Sequence, residues 1–83
     1  MKVTVKYFAS IREAVGLASE SVTTDSATLA ALRDELIARG GAYADALARG
    51  RSVRLAVDQL MCDEAAALVA GAEVAFFPPV TGG

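Results

Sequence analysis

Histidine and tryptophan are both missing from the 83 residues, and there is one cysteine, Cys62. Without histidine, the common zinc ligand sets and the usual base for activating a nucleophilic serine or cysteine are unavailable, so no metal site and no self-contained catalysis are expected. A single cysteine excludes an internal disulfide framework. Cys62 sits beside Met61 and is followed by Asp63 and Glu64, neighbours that do nothing to lower a thiol pKa, and it is read as a small packing residue. Basic charge is in short supply as well. Eight Lys and Arg against ten Asp and Glu leave a net charge of −2, which argues against the phosphate-neutralising face that nucleic-acid binding needs. No apolar run approaches the ~18 residues of a membrane span. Lys2 and Lys6 interrupt the apolar start, so no signal-peptide core is expected either, and the expected location is the cytoplasm.

What is present is apolar: 54% of the residues are hydrophobic. A chain this short builds one modest core and has no volume left for a deep substrate cleft, so chemistry would have to be completed by a partner protein. Part of the apolar surface is expected to stay exposed and to mark an interface.

Residues 2–8 alternate, with Val3, Val5 and Tyr7 on one side and Thr4, Lys6 and Phe8 on the other, the period of a strand. Ser10 and Glu13 have capping-box spacing for a short helical turn that Gly16 would stop. Residues 18–24 are short, hydroxyl-rich and more polar, as an edge strand is. Thr28 then precedes Leu29, Leu32, Leu36 and Ile37, an apolar stripe at helical spacing, with Arg33, Asp34 and Arg39 expected on its solvated side and Gly40 and Gly41 terminating it. Residues 43–49 suit a further short helical turn, and 52–58 a strand with Val53, Leu55 and Val57 on one face. The stretch 61–71 reads as a short strand or turn followed by a helical turn, and 73–77 as the last strand. Arg49, Arg51 and Arg54 form the only local basic cluster, read as a solvated loop, with contacts to an acidic partner or a nucleotide phosphate as the second reading.

If the first and last strands pair in parallel, the main helix crosses over and covers one sheet face. That is an α+β arrangement, the β-grasp or ubiquitin-like fold, expected over residues 1–79 with a protruding tail at 80–83. The other sheet face stays open. Alternation in the last strand places Val74 and Phe76 on one side and Ala75 and Phe77 on the other, so Phe8 and Phe77 are expected to share an apolar patch on the open face.

The chain closes with FFPPVTGG, residues 76–83. Pro78 and Pro79 favour an extended, semi-rigid spacer, and Gly82 and Gly83 present a carboxylate free of side-chain bulk that suits a narrow tunnel. A carboxylate is a poor electrophile and a poor nucleophile until activated, and adenylation by a separate ATP-using enzyme is the direct route. The acyl adenylate would then pass to an amine, as in protein tagging, or to sulfur, giving a thiocarboxylate.

VKYFASIREAVG near the start, together with GAEVAFFPPVTGG at the end, resembles the small subunit of molybdopterin synthase, the MoaD family. The Phe-Phe-Pro-Pro-Val-x-Gly-Gly ending is more specific than the bare diglycine of the thiamine-pathway carrier ThiS or of the ubiquitin-related modifiers. The stretch 40–64 matches in pattern only. The resemblance implies that Gly83 is adenylated by a MoeB-like enzyme and converted to a thiocarboxylate, with Gly82 behind it in the tunnel. It implies that Phe8, Phe77, Pro78, Pro79, Val80 and Thr81 meet the large subunit, MoaE, in a two-plus-two heterotetramer. In its pocket the sulfur attacks cyclic pyranopterin monophosphate, and two transfers build the dithiolene. No bound cofactor is expected on the chain itself, and ATP belongs to the activating enzyme. The rival readings are a carrier for thiamine or cysteine synthesis, a protein modifier and a plain interaction domain.

Overall fold

The computed structural model describes residues 1–79, and the expected tail at 80–83 lies outside the described residues. In chain order the elements are β1 (Lys2–Tyr7), α1 (Ala9–Val15), β2 (Ser19–Thr23), α2 (Leu29–Ile37), α3 (Gly41–Leu47), β3 (Arg54–Val57), β4 (Leu60–Cys62) and β5 (Glu73–Phe77). The strands make one mixed sheet in the order β2-β1-β5-β3-β4. β1 and β5 run parallel at its centre, and every other pair is antiparallel. This is the β-grasp arrangement expected from the pattern, with β2 at an edge.

One face of the sheet carries the core. Val3, Val5 and Tyr7 of β1, and Val74 and Phe76 of β5, pack against Leu29, Leu32 and Leu36 of α2. Each such fully buried aliphatic or aromatic side chain contributes about 1.5–3 kcal/mol relative to exposure. Thr28 caps α2 through its side chain, which accepts a hydrogen bond from the Ala31 N–H at 3.2 Å. Gly16, with φ of 86°, closes α1 in the left-handed conformation, as its position after that helix required.

Several local expectations need correction. The Ser10 capping box does not form: α1 already begins at Ala9, the extended Phe8 is its N-cap, and no side chain caps it. Ser10 is therefore one residue inside the helix, where its hydroxyl cannot play the cap. α2 ends at Ile37 and winds on through Ala38 and Arg39 to Gly40, which at φ of 76° breaks it, as expected, and opens α3. The helical turn expected within 61–71 is a run of turns, preceded by the short strand β4.

Arg33 is not solvated but only 5% exposed. Its Nε donates to the Leu47 carbonyl at 2.8 Å, and its Nη2 to the carbonyls of Ala48 at 2.8 Å and Arg51 at 3.3 Å. Carbonyls at a helix C-terminus lack intrahelical partners, and the guanidinium fork satisfies several at once. Nη1 reaches Glu64 at 2.9 Å. Glu64 also accepts from Arg49, which pairs with Asp34 at 2.8 Å. So Arg49 is a clamp holding α2 to the segment after β4 and is not part of a free basic loop.

Candidate docking face

The sheet face turned away from α2 is built by register. Residues directly opposite in an antiparallel ladder share a face, so the pairs Arg54↔Phe77, Ala56↔Ala75 and Ala56↔Met61 set Phe77, Ala75, Ala56 and Met61 side by side. Phe8, just beyond β1, joins them: its backbone N–H donates to the Phe76 carbonyl at 3.1 Å, and its ring meets Phe77 edge to face, with centroids 6.2 Å apart and planes at 88°. These side chains line an apolar groove. Phe8 is 45% exposed and Met61 54%.

Phe8 and Phe77 are thus brought together as the alternation implied. Pro78 and Pro79 follow Phe77 directly and are partly buried. Val80, Thr81, Gly82 and Gly83 lie outside the described residues. Sequence reasoning missed Ala56 and Met61: Ala56 is placed by β3 pairing with β5, and Met61 by β4 pairing with β3. Leu60 and Met61, an apolar pair in an otherwise turn-rich stretch, were the available signal.

Behind the groove, a polar cluster fixes the central strand. Tyr7 Oη donates to Glu20 Oε2 at 2.8 Å, Tyr43 Oη to the same oxygen at 2.7 Å, and Arg39 Nη1 to Glu20 Oε1 at 3.0 Å. The Tyr7 ring stacks on Phe76 at 6.2 Å. Burial, then the Glu20 carboxylate, pushes both phenols above their ordinary pKa. Burial alone would raise Glu20, but hydrogen bonds from Tyr43, Arg39 and Tyr7 outweigh it and hold the carboxyl below its usual range. Tyrosines kept protonated and a carboxylate kept ionised and saturated serve as struts, not as proton carriers.

Cys62 is half-buried against the core, and burial together with Asp63 raises its thiol pKa, which suits packing rather than sulfur chemistry. Among the described residues no group of His, Cys, Asp or Glu side chains is placed to hold a metal, and no helix is long and apolar enough to cross a membrane. The face therefore offers an apolar contact surface at the root of the chain's C-terminal segment.

The model of the ThiS family matches residues 5–83. The chain belongs to the ThiS family. The Molybdopterin synthase sulfur carrier subunit of Escherichia coli is 43% identical to it over 79 residues, covering 95% of this chain and 96% of that protein. The resemblance carried by the two termini is therefore met across the whole length of this ThiS-family chain. Among solved structures, small archaeal modifier protein 1 of Haloferax volcanii superposes with a TM-score of 0.76 at 26% identity, over 95% of this chain and 98% of that one. A complex of subunits 1 and 2 of the molybdopterin-converting factor from Helicobacter pylori contains a chain of the same fold, with a TM-score of 0.70 at 24% identity and full coverage of both chains.

Proposed function

We propose that this chain is the sulfur carrier of a molybdopterin synthase, with Gly83 as the carrying residue. The observation that supports it most is the joining of Phe8 and Phe77 into an exposed apolar face immediately before a Pro-Pro-Val-Thr-Gly-Gly ending, in a chain 43% identical to a protein of that name. A partner that covers this face is positioned to receive the segment that follows Phe77.

In this reading a MoeB-like enzyme joins the Gly83 carboxylate to AMP from ATP, releasing pyrophosphate. A sulfur donor then displaces AMP and leaves a terminal thiocarboxylate. The sulfurated chain docks on a MoaE-like large subunit through Phe8, Phe77, Pro78 and Pro79, in a two-plus-two assembly, and Val80, Thr81, Gly82 and Gly83 enter its pocket. There the sulfur attacks cyclic pyranopterin monophosphate, the acyl–sulfur bond is later hydrolysed, and the carboxylate returns for another cycle. Acid, base and anion-binding groups are supplied by the large subunit, in keeping with the missing histidine. Holding the nucleophile in a pocket makes the attack effectively intramolecular.

Order of addition tests this. The pre-sulfurated chain plus large subunit is expected to convert the pterin without ATP, whereas the carboxylate form requires ATP and the activating enzyme. An ATP requirement for the pre-sulfurated form would overturn the reading. Intact-mass measurement on protein from its native cell is expected to show one oxygen exchanged for sulfur; an adduct on a lysine would favour a protein modifier instead.

A further inference from the structure

Arg54 stands directly across the β3–β5 ladder from Phe77 and therefore shares the open face with it, at the end where the chain leaves β5. It is exposed, and among the described residues its guanidinium forms no ion pair. Several other charges are paired. Lys6 and Glu73, on the same face, lie 3.4 Å apart and offset each other. Arg33, Arg39 and Arg49 are each held by carboxylates of the chain. Lys2, Arg12 and Arg51 make no ion pair among the described residues either, and Arg51 lines a cleft together with Pro78 and Asp45. Arg54 and Arg51 are thus the arginines without an ion pair that lie beside Phe77 and Pro78, in a chain whose net charge is −2.

We propose that Arg54, reinforced by Arg51, is the specificity-determining charge of the docking face and meets an Asp or Glu carboxylate at the rim of the large subunit's pocket. The inference rests on the proposed docking of the Phe8–Phe77 face. When Phe77 is covered, its cross-strand neighbour comes under the partner's edge. At that rim the guanidinium keeps its contact with water, and a carboxylate matches its fork. Because a rim charge acts mainly on encounter, the pair governs how fast the right partner is found and which partners are refused, more than how long the complex lasts.

Stopped-flow association with the large subunit of the same organism tests this, using the full chain and the variants Arg54→Glu, Arg51→Glu, the double reversal and Phe77→Ala. Wild-type association is expected to slow as salt is raised. The double reversal is expected to associate about tenfold more slowly or worse at low salt, with that deficit shrinking at high salt, while dissociation and melting temperature stay near wild type. Arg54→Glu alone is expected to account for most of the deficit. Unchanged association in the double reversal, with Phe77→Ala weakened, would overturn the role of the arginines and leave the face standing. Phe77→Ala binding as tightly as wild type would instead overturn the docking reading itself. Slowing seen only with the activating enzyme would also refute the proposal, by assigning the arginines to the other partner.

Discussion

Phe8 and Phe77 meet edge to face at 6.2 Å on the open side of the sheet, while Phe76, one residue before Phe77, is fully buried on the other. Two adjacent phenylalanines therefore have separable roles. Phe77→Ala is expected to weaken large-subunit binding by about 1–4 kcal/mol, the range of aromatic interface anchors, with little change in melting temperature. Phe76→Ala is expected to cost about 3–5 kcal/mol of stability, as truncating a buried aromatic does. Calorimetric titration alongside thermal melts of both variants checks the division; a large stability loss in Phe77→Ala with unaltered affinity would reverse it.

Deleting Gly83, or replacing Gly82 by a bulky residue, is expected to abolish sulfur transfer and leave stability almost unchanged, because among the described residues the buried core cluster reaches no further than Phe76. A reconstituted assay of pterin conversion, paired with a denaturant melt, measures both effects. Pterin conversion by the Gly83-deleted chain would rule out the thiocarboxylate route.

Arg33→Ala is expected to lose about 3 kcal/mol or more, since it strips the Leu47 and Ala48 carbonyls of their donor and leaves Glu64 with one arginine fewer. Affinity for the large subunit at a temperature where the variant is folded is expected to be unchanged, because Arg33 lies on the helical side of the sheet. Urea unfolding and titration at low temperature separate the two.

The Glu20 cluster makes a pH-dependent contribution whose sign follows from the shift. Its carboxyl is held below the ordinary value in the folded chain, so the stabilisation is present above the unfolded-state pKa and is lost as pH falls through the folded-state one. Stability is accordingly expected to fall on acidification below the usual carboxylate range. Glu20→Ala is expected to cost about 1–3 kcal/mol at neutral pH, by leaving Tyr7 and Tyr43 without their acceptor, and to flatten that acid limb. Urea midpoints measured across the acidic range for both proteins check it.

Much of this was legible one residue at a time. Alternation in β1 and β5 sorted Val3, Val5, Tyr7, Val74 and Phe76 from Phe8 and Phe77, because side chains on a strand alternate faces whatever the strand packs on. The Leu29, Leu32, Leu36 stripe was equally local. β4 was legible only as a short strand or turn: the β3–β4 hairpin turns at Asp58 and Gln59, both with positive φ, without the Asn-Gly or Asp-Gly signal that usually announces such a turn. The same gap hid Met61 from the docking face.

Charge was the least legible property. On a helix wheel Arg33 looks like Arg39, but Arg33 is drawn inward by helix-end carbonyls that α3 brings near, and Arg39 by the Glu20 carboxylate at the sheet edge. The sequence by itself determined the periodicities, the Gly16 stop of α1 and the family of the chain, since each depends only on residue order. Tertiary structure alone decided which arginines are neutralised, because an arginine's partner is whichever carbonyl or carboxylate the fold places within ~3 Å of it, however distant in the chain. Arg33 finds Glu64 thirty-one residues away, whereas Arg54 is left beside Phe77 by strand register.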